Sequence, residues 1–123
     1  MNIQAYWNAA LRQNAGAMQE FFAPGAVINW HNTNECFTPE EFIRANCEYP
    51  GNWTGKIEKL FSLQNQIITV VHVYSADQKQ HFRVTSIFCL DGEKIASIDE
   101  YWGDDGVAPQ WRKDLHIGRK IKE

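Results

Sequence analysis

The sequence predicts an α+β fold, in which three N-terminal helices pack on one face of a curved antiparallel sheet formed by the rest of the chain. The first observation is a change of period. Apolar residues recur every 3.6 residues up to about residue 50 and every second residue from Trp53 onward. The second is the short joints between the later strands, of which Asp91-Gly92 is typical of a two-residue hairpin because both residues tolerate positive φ.

Two short apolar stripes predict the first two helices. The first stripe has the i, i+3, i+4, i+7, i+8 spacing of a helix buried on one side, at Ile3, Tyr6, Trp7, Ala10 and Leu11. Asn14 and Gly16 interrupt this pattern. A second helix is predicted at 18–22 and stopped by Pro24-Gly25, and a short strand at 26–30 follows it.

The third helix has the clearest start signal. Thr38 is predicted to cap it, Pro39 suits its first position, and Glu41 completes a capping box by reaching back to the Thr38 amide. Phe37 and Phe42 flank this box at the spacing of a hydrophobic staple. The helix is predicted to end near residue 50.

Four long strands are predicted after this helix, at 56–63, 66–75, 80–90 and 94–103. Because their connections are short, consecutive strands should pair as an antiparallel meander. The last stretch, 109–123, is basic and has no clear period, so its simplest interpretation is a solvated surface.

Composition limits the classes of function. At 123 residues, 44% of them apolar, the chain has the length and make-up of one globular domain, and we expect a single domain over 1–123. Twelve basic against fifteen acidic residues argue against nucleic acid as a partner. The N-terminus lacks a secretion pattern and no segment is apolar enough to span a membrane, so we expect a cytoplasmic protein without a membrane partner.

Cysteine and histidine spacing predicts no metal site, and we also expect no cofactor. Cys36, Cys47 and Cys89 are odd in number, widely spaced and without a C-x-x-C pair, which favours free thiols over a disulfide framework or a zinc site. His72 and His81 lie on predicted strands without the spacing of metal ligands.

Several segments, in their order and spacing, resemble the nuclear transport factor 2-like superfamily, in its SnoaL-like and ketosteroid-isomerase-like branch. These segments are Asn14-Ala15-Gly16, Phe22-Ala23-Pro24-Gly25-Ala26-Val27, Thr38-Pro39-Glu40-Glu41-Phe42-Ile43, Asp91-Gly92-Glu93-Lys94-Ile95 and Tyr101-Trp102-Gly103. The resemblance implies a cone-shaped curved sheet with the three helices on its concave face, around a small-molecule pocket. This fold hosts isomerases, dehydratases, cyclases and non-catalytic modules, so it does not name an activity.

The last strand carries the strongest candidate for chemistry. Side chains alternate along a strand, so Asp99 and Glu100 point to opposite faces and cannot act as a paired acid and base. The resemblance implies that Ile98, Glu100 and Trp102 face the pocket. A carboxylate in an aromatic-lined cavity is poorly solvated, which makes Glu100 a candidate general acid or base. The alternative is a carboxylate paired with a cation such as Arg112.

The isomerase mechanism of the resembled branch is not expected in this chain. The resemblance places its general-base Asp at Trp30, its protonated Asp near Ser86 and its catalytic Tyr near Ala9, with Tyr6 one turn away. A Trp cannot move the proton, and a Ser cannot replace a neutral carboxylic acid as a strong donor. We therefore expect a cavity of similar shape with different chemistry.

The remaining candidates are ligand-binding residues. They are Tyr6, Trp30, Asn32, Asn46, Trp53, Phe82, Ser86, Ile98 and Trp102. For the apolar members, a place in the core is the alternative. Asn32 lies in a polar segment at 30–35, for which the alternative to ligand binding is a solvated loop. Asn46 either holds Glu100 or a ligand, or turns to solvent.

Two hypotheses follow. In the first, the protein is a cofactor-free lyase or isomerase that binds a small hydrophobic or aromatic molecule and uses Glu100 as its acid or base. In the second, it is a non-catalytic ligand-binding or dimerisation module. Part of a homodimer interface on the outer sheet face would then be formed by the alternating residues Ile68, Val70, His72 and Tyr74. The resemblance implies this interface, because members of that family commonly dimerise through the same face.

Overall fold

The computed structural model describes residues 1–122, which form four helices and six strands. The helices are α1 (Ile3–Leu11), α2 (Ala15–Gln19), α3 (Pro39–Cys47) and α4 (Gln110–Lys113). The strands are β1 (Phe22–Trp30), β2 (Glu35–Phe37), β3 (Trp53–Ser62), β4 (Gln66–Ser75), β5 (His81–Asp91) and β6 (Lys94–Asp104). The helices-first order and the α+β class are as predicted.

All six strands belong to one sheet in the order β2-β1-β6-β5-β4-β3. The predicted meander is confirmed, since β3 to β6 pair antiparallel in sequence order. One pairing differs from the antiparallel expectation: β1 runs parallel to β6, with Ile28 beside Ile98 and Trp30 beside Glu100. Short turns impose an antiparallel direction only on strands that follow each other directly, and these two strands are far apart in the sequence.

The capping box of α3 is formed as predicted. The Thr38 hydroxyl accepts a hydrogen bond from the Glu41 amide (3.2 Å), and the Glu41 carboxylate accepts one from the Thr38 amide (2.9 Å). The helix ends at Cys47, slightly earlier than predicted. The side chains of Phe37 and Phe42 both pack edge-on against Trp30, which ties the start of the helix to the sheet.

The segment between α1 and α3 differs from the prediction. The second helix covers only Ala15–Gln19, capped by Asn14, and Phe22 already belongs to β1. Pro24-Gly25 lies in an irregularity of the β1–β6 ladder, where Gly25 has φ of 76°, so the strand continues through these residues instead of starting after them. The short strand β2 pairs with β1 and was not predicted.

The helices and the inner sheet face enclose the core. Alternate residues of β4 are buried, whereas Ile68, Val70, His72 and Tyr74 are half-buried on the outer face, as the period of two predicted. Among residues 1–122, Glu100 is the only acidic or basic residue that is buried. No helix in this part of the chain is long and apolar enough to cross a membrane.

Candidate active site

A cavity of about 330 Å³ lies between α1, α3 and the inner face of the sheet. This volume is at the small end of the range of about 300–1,000 Å³ that is usual for ligand pockets. Eight aromatic side chains contribute to its wall. The cavity is therefore suited in size and surface to a small, mainly hydrophobic molecule.

Four of these aromatic rings form a continuous arc. Trp30 of β1 lies 6.4 Å from Trp102 of β6, which lies 6.1 Å from Phe82 of β5, and Phe82 lies 5.3 Å from Trp53 of β3, all between ring centroids. Tyr49, just after α3, extends the arc through an edge contact with Trp53 at 5.5 Å. Because each ring comes from a different element, the arc exists only in the folded protein.

Glu100 lies on the cavity wall and is only 1% exposed. Its neighbours in the sheet are Trp30 on β1 and Ser86 on β5. The Trp30 indole Nε1 donates a hydrogen bond to Glu100 Oε1 (3.0 Å), and Ser86 Oγ donates one to Oε2 (2.5 Å). Both carboxyl oxygens are therefore held by the two adjacent strands.

Burial raises the pKa of Glu100, and the hydrogen bonds from Ser86 and Trp30 only partly oppose this rise. Burial also raises the pKa of Tyr6 well above its usual value, and the nearby charge of Glu100 adds to that effect. The Tyr6 hydroxyl thus stays protonated as a hydrogen-bond donor. Within residues 1–122 no cation pairs with Glu100, which argues against the ion-pair alternative with Arg112.

The structure brings seven of the nine predicted ligand-binding residues to the cavity wall: Tyr6, Trp30, Asn32, Asn46, Trp53, Phe82 and Trp102. Ser86 and Ile98 lie elsewhere. Both are completely buried, Ile98 in the apolar core and Ser86 beneath Glu100, so Ser86 reaches the cavity only through that carboxyl group.

The two asparagines predicted to bind a ligand, Asn32 and Asn46, have side chains that form hydrogen bonds with the backbone instead. Asn46 Nδ2 donates to the carbonyl of Ala10 (2.9 Å) and thereby joins α3 to α1. Asn32 makes two hydrogen bonds with Trp102: its Nδ2 donates to the Trp102 carbonyl, and its Oδ1 accepts from the Trp102 amide, both at 2.8 Å. Neither amide holds Glu100. They instead fix the helices and the aromatic arc around the cavity.

Ten wall residues were not among the predicted site residues, and Gln13, Tyr49 and Asp104 are three of them. Gln13 follows α1 with φ of 55°, and its Nε2 donates to the carbonyls of Asn46 (2.9 Å) and Tyr49 (2.7 Å). A positive φ at a glutamine has no sequence signal. Asp104 continues the inward positions of Glu100 and Trp102 by strand alternation, which is a signal that could have found it.

The other face of β6 has its own polar cluster. Asp99 Oδ1 lies 2.7 Å from His31 Nε2, and the His31 ring stacks on Tyr101 with centroids 4.5 Å apart. The predicted split of this strand is therefore observed, with Asp99 and Tyr101 outside and Glu100 and Trp102 inside.

His72, His81 and Asp105 also meet on the outer face, with one potential ligand atom from each within 4.8 Å of the others. Hydrogen bonds account for the arrangement: His72 Nε2 lies 2.9 Å from His81 Nδ1, and His81 Nε2 lies 2.9 Å from the Gln78 carbonyl. Arg83 forms an ion pair with Asp105. Sequence spacing missed this group because its members come from β4, from β5 and from the residue after β6, which lie apart in the sequence. The absence of a metal stays a prediction.

The sequence matches no protein-family model and no curated protein. Solved structures, in contrast, match closely in fold. A provisionally assigned ketosteroid isomerase from Kribbella flavida has a TM-score of 0.81 at 16% identity, over 98% of this chain and 88% of its own. An NTF-2 like protein of unknown function from Burkholderia xenovorans has a TM-score of 0.78 at 17% identity, over 98% and 92%.

A third neighbour is a provisionally assigned SnoaL-like polyketide cyclase from Jannaschia, with a TM-score of 0.69 at 12% identity over 81% of both chains. At these identities the likeness shows the fold and not the activity. The helices on the curved sheet and these neighbours agree: the chain has the cone-shaped fold seen in nuclear transport factor 2-like proteins.

Proposed function

We propose that the cavity binds a small hydrophobic or aromatic molecule and that Glu100 moves a proton on it, in a cofactor-free isomerase, dehydratase or cyclase reaction of a cytoplasmic protein. One observation carries this proposal: a carboxyl group that is 1% exposed forms part of the wall of a mostly aromatic cavity. Burial raises the pKa of that group, and a raised carboxyl pKa suits a general base or acid near neutral pH.

The two oxygens of Glu100 allow a balanced proton transfer. The carboxylate takes a proton from a carbon of the bound molecule and becomes a carboxylic acid. It then returns that proton to another carbon in an isomerisation, or to a departing hydroxyl group, which leaves as water, in a dehydration. Tyr6, which stays protonated, is a donor available to an oxygen that gains negative charge during this step.

Deuterium exchange tests this chemistry without knowledge of the natural substrate. A panel of small aromatic ketones is incubated with the protein in D₂O, and incorporation next to the carbonyl is followed by NMR. Exchange should depend on the protein, be lost in Glu100→Gln and persist in Asp99→Asn, which removes the adjacent carboxylate on the outer face. An ordinary Glu100 pKa, measured by carboxyl NMR, together with no exchange would contradict the proposal.

The second candidate is a non-catalytic ligand-binding or dimerisation module. It is favoured by the hydrogen bonds from Trp30 and Ser86, since a carboxyl group with both oxygens engaged can serve as a structural link between β1, β5 and β6. The half-buried outer positions of β4, among them Val70 and Tyr74, would supply the surface between two copies.

Light scattering tests this dimer. Tyr74→Glu should halve the mass of the assembly, because it places a charge within the proposed interface. Lys79→Glu, in the exposed turn after β4, is the matched control and should leave the mass unchanged. An unchanged mass in Tyr74→Glu would remove this strand from the interface.

A further inference from the structure

The titratable side chains on the cavity wall can carry negative charge but no positive charge. Four titratable side chains contribute to the wall, Tyr6, Tyr49, Glu100 and Asp104, of which the two carboxyl groups can carry negative charge. No Lys, Arg or His among residues 1–122 lies on the wall. An anionic ligand would therefore enter a cavity without a compensating charge, which is costly in a poorly solvated site.

The amide donors of the wall are already engaged. Gln13 Nε2 donates to two backbone carbonyls, and Asn32 and Asn46 each donate to one. A ligand that needs several hydrogen-bond donors, such as a carboxylate or a phosphate, would have to break these contacts between helices and sheet. The wall is thus poor in free amide donors as well as in positive charge.

Three of the four indole N–H groups on the wall are engaged in the same way. Trp7 Nε1 donates to Thr69 Oγ1 (3.2 Å), Trp30 Nε1 to Glu100 Oε1 (3.0 Å) and Trp53 Nε1 to the Pro50 carbonyl (3.0 Å). What these residues leave for a ligand is the surface of their rings. Aromatic ring faces carry partial negative charge and attract cations, and Trp does so most strongly.

The geometry points to a small organic cation as the ligand, a protonated amine or quaternary ammonium ion with hydrophobic substituents, held between the aromatic arc of Trp30, Trp53, Phe82 and Trp102 and the carboxylate of Glu100. The arc supplies ring surfaces from four strands, and Glu100 supplies the balancing charge. This inference rests on the first half of the proposed function, that the cavity binds a small hydrophobic molecule.

A cationic ligand also changes the state of Glu100. Without a ligand, burial favours the neutral carboxylic acid. A positive charge nearby favours the carboxylate, so binding should release a proton to the solvent and leave Glu100 in the basic form. The same ligand would thereby prepare the general base that the proposed reaction needs.

Choline and 3,3-dimethylbutan-1-ol test the inference, because they have the same shape and differ in the replacement of N⁺ by carbon. Binding is measured by tryptophan fluorescence and by calorimetry in two buffers of different ionisation enthalpy. We expect choline to bind at least about tenfold more tightly than the alcohol. The calorimetry should show proton release on choline binding below the pKa of Glu100 and none on alcohol binding.

Two variants test whether Glu100 and the aromatic arc cause the preference for choline over the alcohol. Glu100→Gln should lower the ratio of the two affinities, leaving only the preference due to the rings, and abolish proton release, and Trp102→Leu should weaken choline binding more than alcohol binding. Asp99→Asn, a neutralisation on the outer face of the same strand, should leave the ratio unchanged. A folded Trp102→Leu keeps the test valid if Glu100→Gln does not fold.

The outcomes separate this inference from the proposed function. Equal or tighter binding of the alcohol would contradict the proposal of a cationic ligand and would indicate a cavity for neutral hydrophobic molecules. A preference for choline that is undiminished in Glu100→Gln would remove the carboxylate from the inference and overturn it as stated. Binding of neither compound would overturn it too, while the deuterium exchange on aromatic ketones judges the proposed function independently.

Discussion

Ser86 Oγ lies 2.5 Å from Glu100 Oε2, between two residues that face each other directly in the β5–β6 ladder. Both side chains are buried. A hydroxyl donor at this distance stabilises the charged form of a carboxyl group, whereas burial destabilises it. The proton affinity of Glu100 is therefore set by the balance of these two effects.

The first prediction concerns Ser86→Ala. Removal of the hydroxyl group should raise the pKa of Glu100 further, because burial then acts with one hydrogen bond fewer to oppose it. The variant should also lose about 1–3 kcal/mol of unfolding free energy, since a buried carboxyl oxygen is left without its partner. Carboxyl NMR titration measures the pKa. Thr85→Ala, next in the sequence, is the control, and an equal or lower pKa in Ser86→Ala would contradict the prediction.

The second prediction concerns stability against pH. Burial raises the pKa of Glu100, so the folded protein binds this proton more tightly than the unfolded chain, whose value is near 4.5. The contribution of Glu100 is fully present below that value and is lost as the pH rises through the higher folded pKa. The unfolding free energy of the wild type minus that of Glu100→Gln should therefore fall across this window in urea titrations.

Asp99 supplies a control of opposite sign. The hydrogen bond from His31 lowers its pKa, so its contribution is present above the unfolded value and lost as the pH falls through the folded pKa. The difference between the wild type and Asp99→Asn should therefore grow with rising pH. Parallel pH curves for the two variants would show that neighbouring carboxyl groups on this strand do not differ in environment.

The division of β6 could be predicted from sequence, because the period of a strand alone separates Glu100 and Trp102 from Asp99 and Tyr101. The resemblance to a known family was needed to say which of these two pairs faces the cavity. The capping box at Thr38 was equally accessible, since all its partners are within three residues of each other. These features depend on local geometry.

The features that could not be predicted depend on contacts between distant segments. The parallel pairing of β1 with β6 joins Trp30 to Glu100 across 70 positions, and no local pattern specifies it. The contact of Asn32 with the Trp102 backbone follows from that pairing and was equally hidden. The sequence left open whether Asn46 holds Glu100 or a ligand or turns to solvent, because its actual partner, the Ala10 carbonyl, depends on how α1 and α3 cross.

The third prediction concerns Asn32→Ala. The Asn32 amide continues the β1–β6 contact with two hydrogen bonds to the Trp102 backbone, each at 2.8 Å. Their loss should cost about 1–2 kcal/mol of unfolding free energy and free Trp102 to move. Hydrogen exchange at the Trp102 amide should accelerate, and any ligand that contacts this ring should bind more weakly. Thr33→Ala, in the same loop, should leave the exchange rate unchanged, and equal rates in both variants would disprove the role of Asn32.

The fourth prediction concerns Gly55, where β3 passes close to two neighbours. A Cβ atom at this position would lie 2.7 Å from the His72 carbonyl oxygen and 3.2 Å from the Leu11 side chain, so Gly55→Ala should lose about 1–3 kcal/mol of unfolding free energy. Leu11 lines the cavity, so ligand affinity should fall as α1 shifts. Gly103→Ala is the matched control, because a Cβ atom added at that position would have no neighbour within 4 Å. Equal urea midpoints for the two variants would show that α1 and β3 can separate without cost.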